Sequence, residues 1–203
     1  VGHLRVTSLF ISPNVRKAIH EGRADFTPVL LSEFPLLFKN GILPVDVAFV
    51  HVSPPDRHGY CTMGIESGLT RSAAEAAKIV IAEVNRQMPR VHGDTLVHVS
   101  DLDYIIPVDY PLAEVPVSNG DCSETVCAIA GYIAERIPDG ATLQTGIGEI
   151  PNAVLGFLKH KRDLAIHSEL ISDGIIDLVD AGVITCARKT IHPGKIIAGF
   201  MLG

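Results

Sequence analysis

No apolar run in this sequence approaches the roughly 20 residues that a bilayer-spanning helix needs. The most apolar stretches, such as Lys195 to Gly203, fall far short. Basic residues are not in excess: 17 Lys+Arg stand against 23 Asp+Glu, a net charge of −6. Nucleic-acid phosphates are bound by clustered Lys and Arg, so neither nucleic acid nor a membrane is expected as a partner. Cysteine is scarce, and Cys61, Cys122, Cys127 and Cys186 include no C-x-x-C pair. A disulfide scaffold is excluded on that count, and reduced core thiols in a cytoplasmic protein are expected. His51 with His58, and His92 with His98, lack zinc-ligand spacing, and no H-E-x-x-H occurs, so no metal is expected. The G-x-S-x-G elbow of the serine hydrolases is missing too, which disfavours a serine esterase. There is no tandem repeat, no low-complexity tract and no signal-like opening segment. The chain starts at Val1 and stops at Gly203 just after a strand-like run, so both ends read as cut and a longer parent protein is expected.

What is present is ordinary globular composition, with 47% apolar and 20% charged residues over 203 positions. Such a length suits one large domain or two smaller ones and can bury roughly 70% of its unfolded surface. Helical and strand-like patterns alternate, which predicts an α/β fold with a mainly parallel sheet. Helices are predicted over Asn14 to Ala24, Glu33 to Lys39 (closing at Asn40-Gly41), Thr70 to Ala77, Ser123 to Ile137 and Pro151 to His160, with another from Ser172-Asp173-Gly174 through Val179. Strands are predicted over Pro28 to Leu31, Val45 to Val52, Ile79 to Val84, Leu96 to Val99, Thr142 to Thr145, Leu164 to His167 and Lys195 to Leu202. The proline-punctuated run Tyr104 to Val117 is expected to wrap the surface or link domains, with a boundary near residue 118.

Three segments carry candidate chemistry. In Gln144-Thr145-Gly146-Ile147-Gly148-Glu149-Ile150-Pro151, two glycines stand between a strand and a helix. Such a turn lets backbone approach a ligand, and the helix start offers free N–H groups to an anion. An ordinary strand-to-helix turn fits equally well, and a dinucleotide fingerprint would want glycine where Pro151 stands. In Ala165 to Gly174, Glu169 falls at the carboxyl end of the next strand, the edge where open α/β sheets bind ligands. It could hold a ribose hydroxyl, as in an NAD-binding oxidoreductase, or serve as a carboxylate nucleophile toward a thioester. It could equally be a solvated residue beside a helix cap. The loop Ser53 to Gly64, with Asp56 and His58, could line a cleft or form a plain turn.

The run Gly146-Ile147-Gly148-Glu149-Ile150-Pro151-Asn152-Ala153-Val154, with His167-Ser168-Glu169 and Ser172-Asp173-Gly174, resembles the acetyl-CoA hydrolase/transferase family, and within it the 4-hydroxybutyrate, butyryl and acetate CoA-transferases. Pro13-Asn14-Val15-Arg16, Phe26-Thr27-Pro28, Ser53 to Cys61 and Met88-Pro89-Arg90 extend the resemblance over essentially the whole chain. It implies a family I CoA-transferase fold: two related α/β domains with mainly parallel sheets and the active site between them. Residues 1–118 would be the later part of the N-terminal domain and residues 119–203 the first part of the catalytic one, incomplete at both ends. It further implies Glu169 as the catalytic glutamate, Gly146, Ile147, Gly148, Glu149 and Ile150 as the CoA-binding loop, and Gln144 as a polar residue lining the substrate pocket. The implied activity is CoA transfer between an acyl-CoA and a short carboxylic acid through a glutamyl-CoA thioester. Hydrolysis of acyl-CoA by the same glutamate is the alternative. CoA is then a substrate, no cofactor is tightly bound, and a homo-oligomer is expected.

Overall fold

The computed structural model describes residues 4–115 and 122–203, and the strands it contains pair mostly in parallel. The boundary expected near residue 118 lies outside the described residues. In the first half, β1 (Val6–Ser8) runs through α1 (Pro13–His20) to β2 (Ala24–Phe26), which pairs in parallel with β1. Pro13 opens α1, where its missing N–H is no loss. The helix stops four residues short of the predicted Ala24 because Gly22 turns to φ +70 and its N–H closes on Ile19 O at 3.0 Å. Ala24 is thereby released into a strand and buried. The strand predicted at Pro28 to Leu31 does not form: Pro28 has no N–H for a ladder, and a single 3-10 turn begins at Leu31. The helix α2 (Phe34–Lys39) ends as expected, with Gly41 at φ +67 donating to Phe38 O.

Next come β3 (Val47–Val52), β4 (Tyr60–Thr62), α3 (Thr70–Ala76), β5 (Ile79–Asn85), β6 (Leu96–His98) and β7 (Tyr104–Val108). Strands β3, β5 and β7 form a parallel sheet in that order, with β5 central. Period-two alternation turns Ala48, Val50, Val52, Val80 and Ala82 inward, onto Cys61, Met63, Ala74 and Leu102. The segment predicted to wrap the surface contributes β7 instead. An edge strand tolerates Pro107, because its missing N–H falls on the unpaired side of the ladder.

The second half holds α4 (Glu124–Arg136), β8 (Thr142–Leu143), α5 (Glu149–Gly156), β9 (Ala165–Ile166), β10 (Leu170–Ser172), α6 (Asp173–Asp180) and β11 (Phe200–Leu202). Ser123 caps α4 by accepting the Val126 N–H. Strands β8 and β9 pair in parallel, as do β10 and β11. Leu155, Leu158, Leu164, Ile166, Ile175 and Leu178 make a fully buried core between these strands and helices. Truncating any of these leucines to alanine costs about 2–5 kcal/mol. The expectation of four reduced thiols is corrected in part. Cys61 and Cys186 are buried and free, but Cys122 and Cys127 form a disulfide, Cα atoms 5.6 Å apart, because the first turn of α4 brings the second thiol back over the first.

The two halves are stitched through β11. Met201 N–H donates to Ile65 O at 2.8 Å, Ser67 N–H to Gly199 O at 3.1 Å, and Glu66 bridges Phe200 in antiparallel fashion.

Candidate active site

Because β8 and β9 are parallel and in register (Leu143 beside Ile166), their carboxyl ends open at one edge. That edge brings together two of the predicted segments, Gln144 to Ile150 and His167 to Glu169. Backbone hydrogen bonding runs to the last rung, His167 N–H to Leu143 O at 3.0 Å, and there the strands part.

Glu169 lies beyond that rung with a tethered main chain and an exposed side chain. Its carbonyl accepts the N–H groups of Gly199 (2.8 Å) and Phe200 (3.0 Å). Its neighbour Ser168, only 7% exposed, has its N–H on Ile197 O at 3.0 Å. Among the described residues the Glu169 carboxylate has no hydrogen bond and no ion pair, so it is free to meet a ligand. A fixed peptide carrying an uncommitted carboxylate at a sheet edge is the geometry of a nucleophile or of a hydroxyl acceptor.

The glycine turn is partly helix. The structure starts α5 at Glu149, two residues ahead of the predicted Pro151, so Glu149 and Ile150 belong to its first turn. Gly148 is the residue before the helix and sits at φ +137, a conformation that favours glycine. Ile147 projects outward, 63% exposed. Glu149 adds a negative charge to the first turn of α5, whose N–H groups carry no side-chain cap, so the turn offers a ligand N–H groups and apolar surface more than net positive charge. Gln144, Gly146 and Ile150 line one cavity of about 210 Å³ with Thr145, Pro151 and Ile133 of α4. Ile147, Glu149 and Glu169 are not on its wall.

Two features escaped the sequence reading. One is the interaction of Ser168 with Thr145, described below. The other is Lys189, 7% exposed, whose ammonium donates to the carbonyls of Ile166 and Lys195, each at 2.9 Å, and so pins β9 from behind. No sequence signal distinguishes Lys189 from a surface lysine.

The third predicted segment resolves as a turn. Asp56 accepts the N–H groups of His58 (2.8 Å) and Tyr60 (3.0 Å) and pairs with Arg90 at 2.8 Å. The Tyr60 N–H foremost holds the Asp56 carboxyl below the ordinary aspartate range; desolvation, next in size, opposes it, and the His58 N–H and the Arg90 charge add smaller downward pulls. Arg90 also donates to Tyr60 O, closing the latch. Among the described residues no cluster of His, Cys, Asp and Glu is placed to hold a metal ion, and no helix is long and apolar enough to cross a membrane.

A family profile described as the acetyl-CoA hydrolase/transferase N-terminal domain matches residues 3–116. The chain belongs to the acetyl-CoA hydrolase/transferase family. It is 53% identical over 202 residues to a 4-hydroxybutyrate coenzyme A transferase of Clostridium kluyveri, covering 99% of this chain and 46% of that protein. It is 46% identical over 203 residues to a succinyl-CoA:acetate/propanoyl-CoA:succinate CoA transferase of Fasciola hepatica, covering 100% of this chain and 42% of the relative. Among solved structures, a 4-hydroxybutyrate CoA-transferase of Porphyromonas gingivalis superposes with a TM-score of 0.82 at 40% identity, over 98% of this chain and 51% of that one. RipA of Yersinia pestis superposes with a TM-score of 0.89 at 35% identity, over 98% and 47%. The chain thus spans about half the length of the curated relatives it matches. The mixed α/β architecture with mainly parallel sheets is that of these family members.

Proposed function

We propose that the full-length protein transfers CoA between an acyl-CoA and a short carboxylic acid, with Glu169 as the nucleophile. The observation that carries this reading is the Glu169 side chain itself, exposed and unengaged on a peptide held by two hydrogen bonds, at the sheet edge shared with the glycine turn. The Glu169 carboxylate attacks the thioester carbonyl, expelling CoA thiolate and forming a mixed anhydride. The thiolate attacks the glutamyl carbonyl, releasing the first acid and leaving a glutamyl-CoA thioester. The incoming carboxylate attacks that thioester, and the thiolate expelled then takes the new acyl group, freeing Glu169. The thioester energy is conserved throughout, and the kinetics are ping-pong. Backbone N–H groups stabilise each tetrahedral oxyanion by several kcal/mol in a dry site.

In this reading Gly146, Ile147, Gly148, Glu149 and Ile150 contact CoA, Gln144 lines the substrate pocket, and no tightly bound cofactor takes part. Residues 1–118 belong to the first domain and residues 119–203 open the catalytic one, in a cytoplasmic homo-oligomer. The names of the relatives at 44–53% identity, all CoA transferases, support transfer over hydrolysis. Relatives named acetyl-CoA hydrolase stand at 29% and 25%.

The test is exchange of isotopically labelled acetate into acyl-CoA by the full-length protein. Parallel double-reciprocal plots, lost with Glu169→Gln, are expected. CoA release that is independent of added acid would replace transfer with hydrolysis. Undiminished exchange in Glu169→Gln would remove Glu169 from the mechanism.

A further inference from the structure

The rung that should follow His167 N–H to Leu143 O is a hydrogen bond from the Thr145 N–H to the His167 carbonyl, by the alternation of a parallel ladder. That N–H goes instead to the Ser168 Oγ, at 2.9 Å. The same hydroxyl donates to the Thr145 carbonyl at 3.0 Å, so one side chain occupies both polar groups of Thr145. Thr145 answers in kind: its Oγ1 donates to the Leu170 carbonyl at 3.2 Å. The residues on both sides of Glu169 are therefore tied to Thr145, which immediately precedes the Gly146 turn. The strands part at this point, and a side-chain hydroxyl fills the gap where backbone can no longer reach backbone. Ser168 is nearly buried, so water does not compete for these bonds.

We propose that Ser168 is a positioning residue, whose hydroxyl sets the distance between the Glu169 peptide and the glycine turn and thereby the approach of the Glu169 carboxylate to a thioester bound against that turn. The inference rests on Glu169 being the nucleophile. Ser168 itself exchanges no proton with substrate and forms no bond to it. Removing its hydroxyl leaves the N–H and carbonyl of half-buried Thr145 without these partners, and the two segments drift apart. Misplacement of a reacting group by about 1 Å costs roughly 100-fold in rate, so a shift of several tenths predicts about tenfold.

The experiment measures, in the full-length protein, the single-turnover rate of enzyme–CoA thioester formation at saturating acyl-CoA, beside CoA affinity and thermal midpoint. Ser168→Ala is expected to slow adduct formation about tenfold or more while CoA affinity stays within about threefold, and Ser168→Thr, which keeps the hydroxyl, restores most of the rate. Thr145→Val, which removes the tie to Leu170 but leaves the Thr145 main chain on the Ser168 hydroxyl, should slow the same step less than Ser168→Ala does. An unchanged adduct rate in Ser168→Ala overturns the inference. So does a fall in CoA affinity or thermal midpoint with no loss of rate, which marks a structural role only. If Ser168→Ala does not fold, Ser168→Cys, which keeps a side chain of similar shape but hydrogen-bonds poorly, decides instead, and a wild-type rate in that variant overturns the proposal. Failure of the wild-type protein to form any adduct removes the nucleophile reading itself, a result separable from all of these.

Discussion

The Gly199 N–H donates to the Glu169 carbonyl at 2.8 Å, and a Cβ built on Gly199 would lie 3.2 Å from that same oxygen. The approach is close enough that a methyl group must push the Glu169 peptide by a few tenths of an ångström. Gly199→Ala is therefore expected to lower kcat for transfer about three- to tenfold, since small displacements of a reacting group carry large rate penalties. Steady-state kinetics check this. A kcat equal to wild type would mean that the Glu169 peptide is not held where its position matters.

Gly148 and Gly146 differ in what they demand. Gly148 stands at φ +137, and a Cβ there would find only an ordinary contact with Pro151 at 3.8 Å, so strain rather than crowding penalises substitution. Gly146 has no such φ, and its Cβ would meet Pro151 at 3.9 Å. Gly148→Val is expected to cost about 1–3 kcal/mol of stability and to weaken CoA binding. Gly146→Ala is expected to stay within about 0.5 kcal/mol of wild type. Denaturant unfolding and CoA titration of both variants provide the comparison.

Among the described residues Lys189 has no acid partner and donates to the carbonyls of Ile166 and Lys195. Lys189→Met would leave the carbonyl of buried Ile166 with only the Ile197 N–H, at 3.3 Å, and would fill the ammonium's place without its two bonds. A loss of about 1–3 kcal/mol is expected, read from urea unfolding.

Asp56 supplies a pH dependence. Its folded-state value is depressed, so the latch stabilises fully above the unfolded value near pH 4 and is lost as pH falls through the lower folded value. Asp56→Asn should flatten the fall in stability below roughly pH 4, where the wild-type carboxyl takes up its proton. Unfolding midpoints measured between neutral and acidic pH test the sign.

The elements written plainly in the sequence are those whose signals are local. The apolar run expected as a strand over Val45 to Val52 and the apolar periodicity expected as a helix from Ser123 match closely the observed Val47–Val52 and Glu124–Arg136. The motif around Glu169 was readable as residue types, and the sheet-edge rule placed it correctly beside the glycine turn. What failed depended on context. Pro107 argued against a strand, yet β7 is an edge strand, and edge position is a property of the sheet. The bond between Ser168 and Thr145 spans 23 positions and exists only because two strands stop pairing after Leu143 and His167. The burial of Lys189 is likewise set by tertiary packing, and no local pattern announces it.

In the proposed mechanism the Glu169 carboxylate becomes acylated in every turnover. The full-length protein incubated with acyl-CoA alone should accumulate a covalent enzyme–CoA thioester, because the acid that discharges it is withheld. Intact mass should rise by CoA minus water, and peptide mapping should place the adduct between Ala165 and Gly174. Borohydride should reduce the activated carboxyl at Glu169, and Glu169→Gln should show no adduct. A wild-type protein that turns over acyl-CoA at full rate yet carries no adduct, or carries one outside Ala165 to Gly174, would rule out Glu169 as the nucleophile.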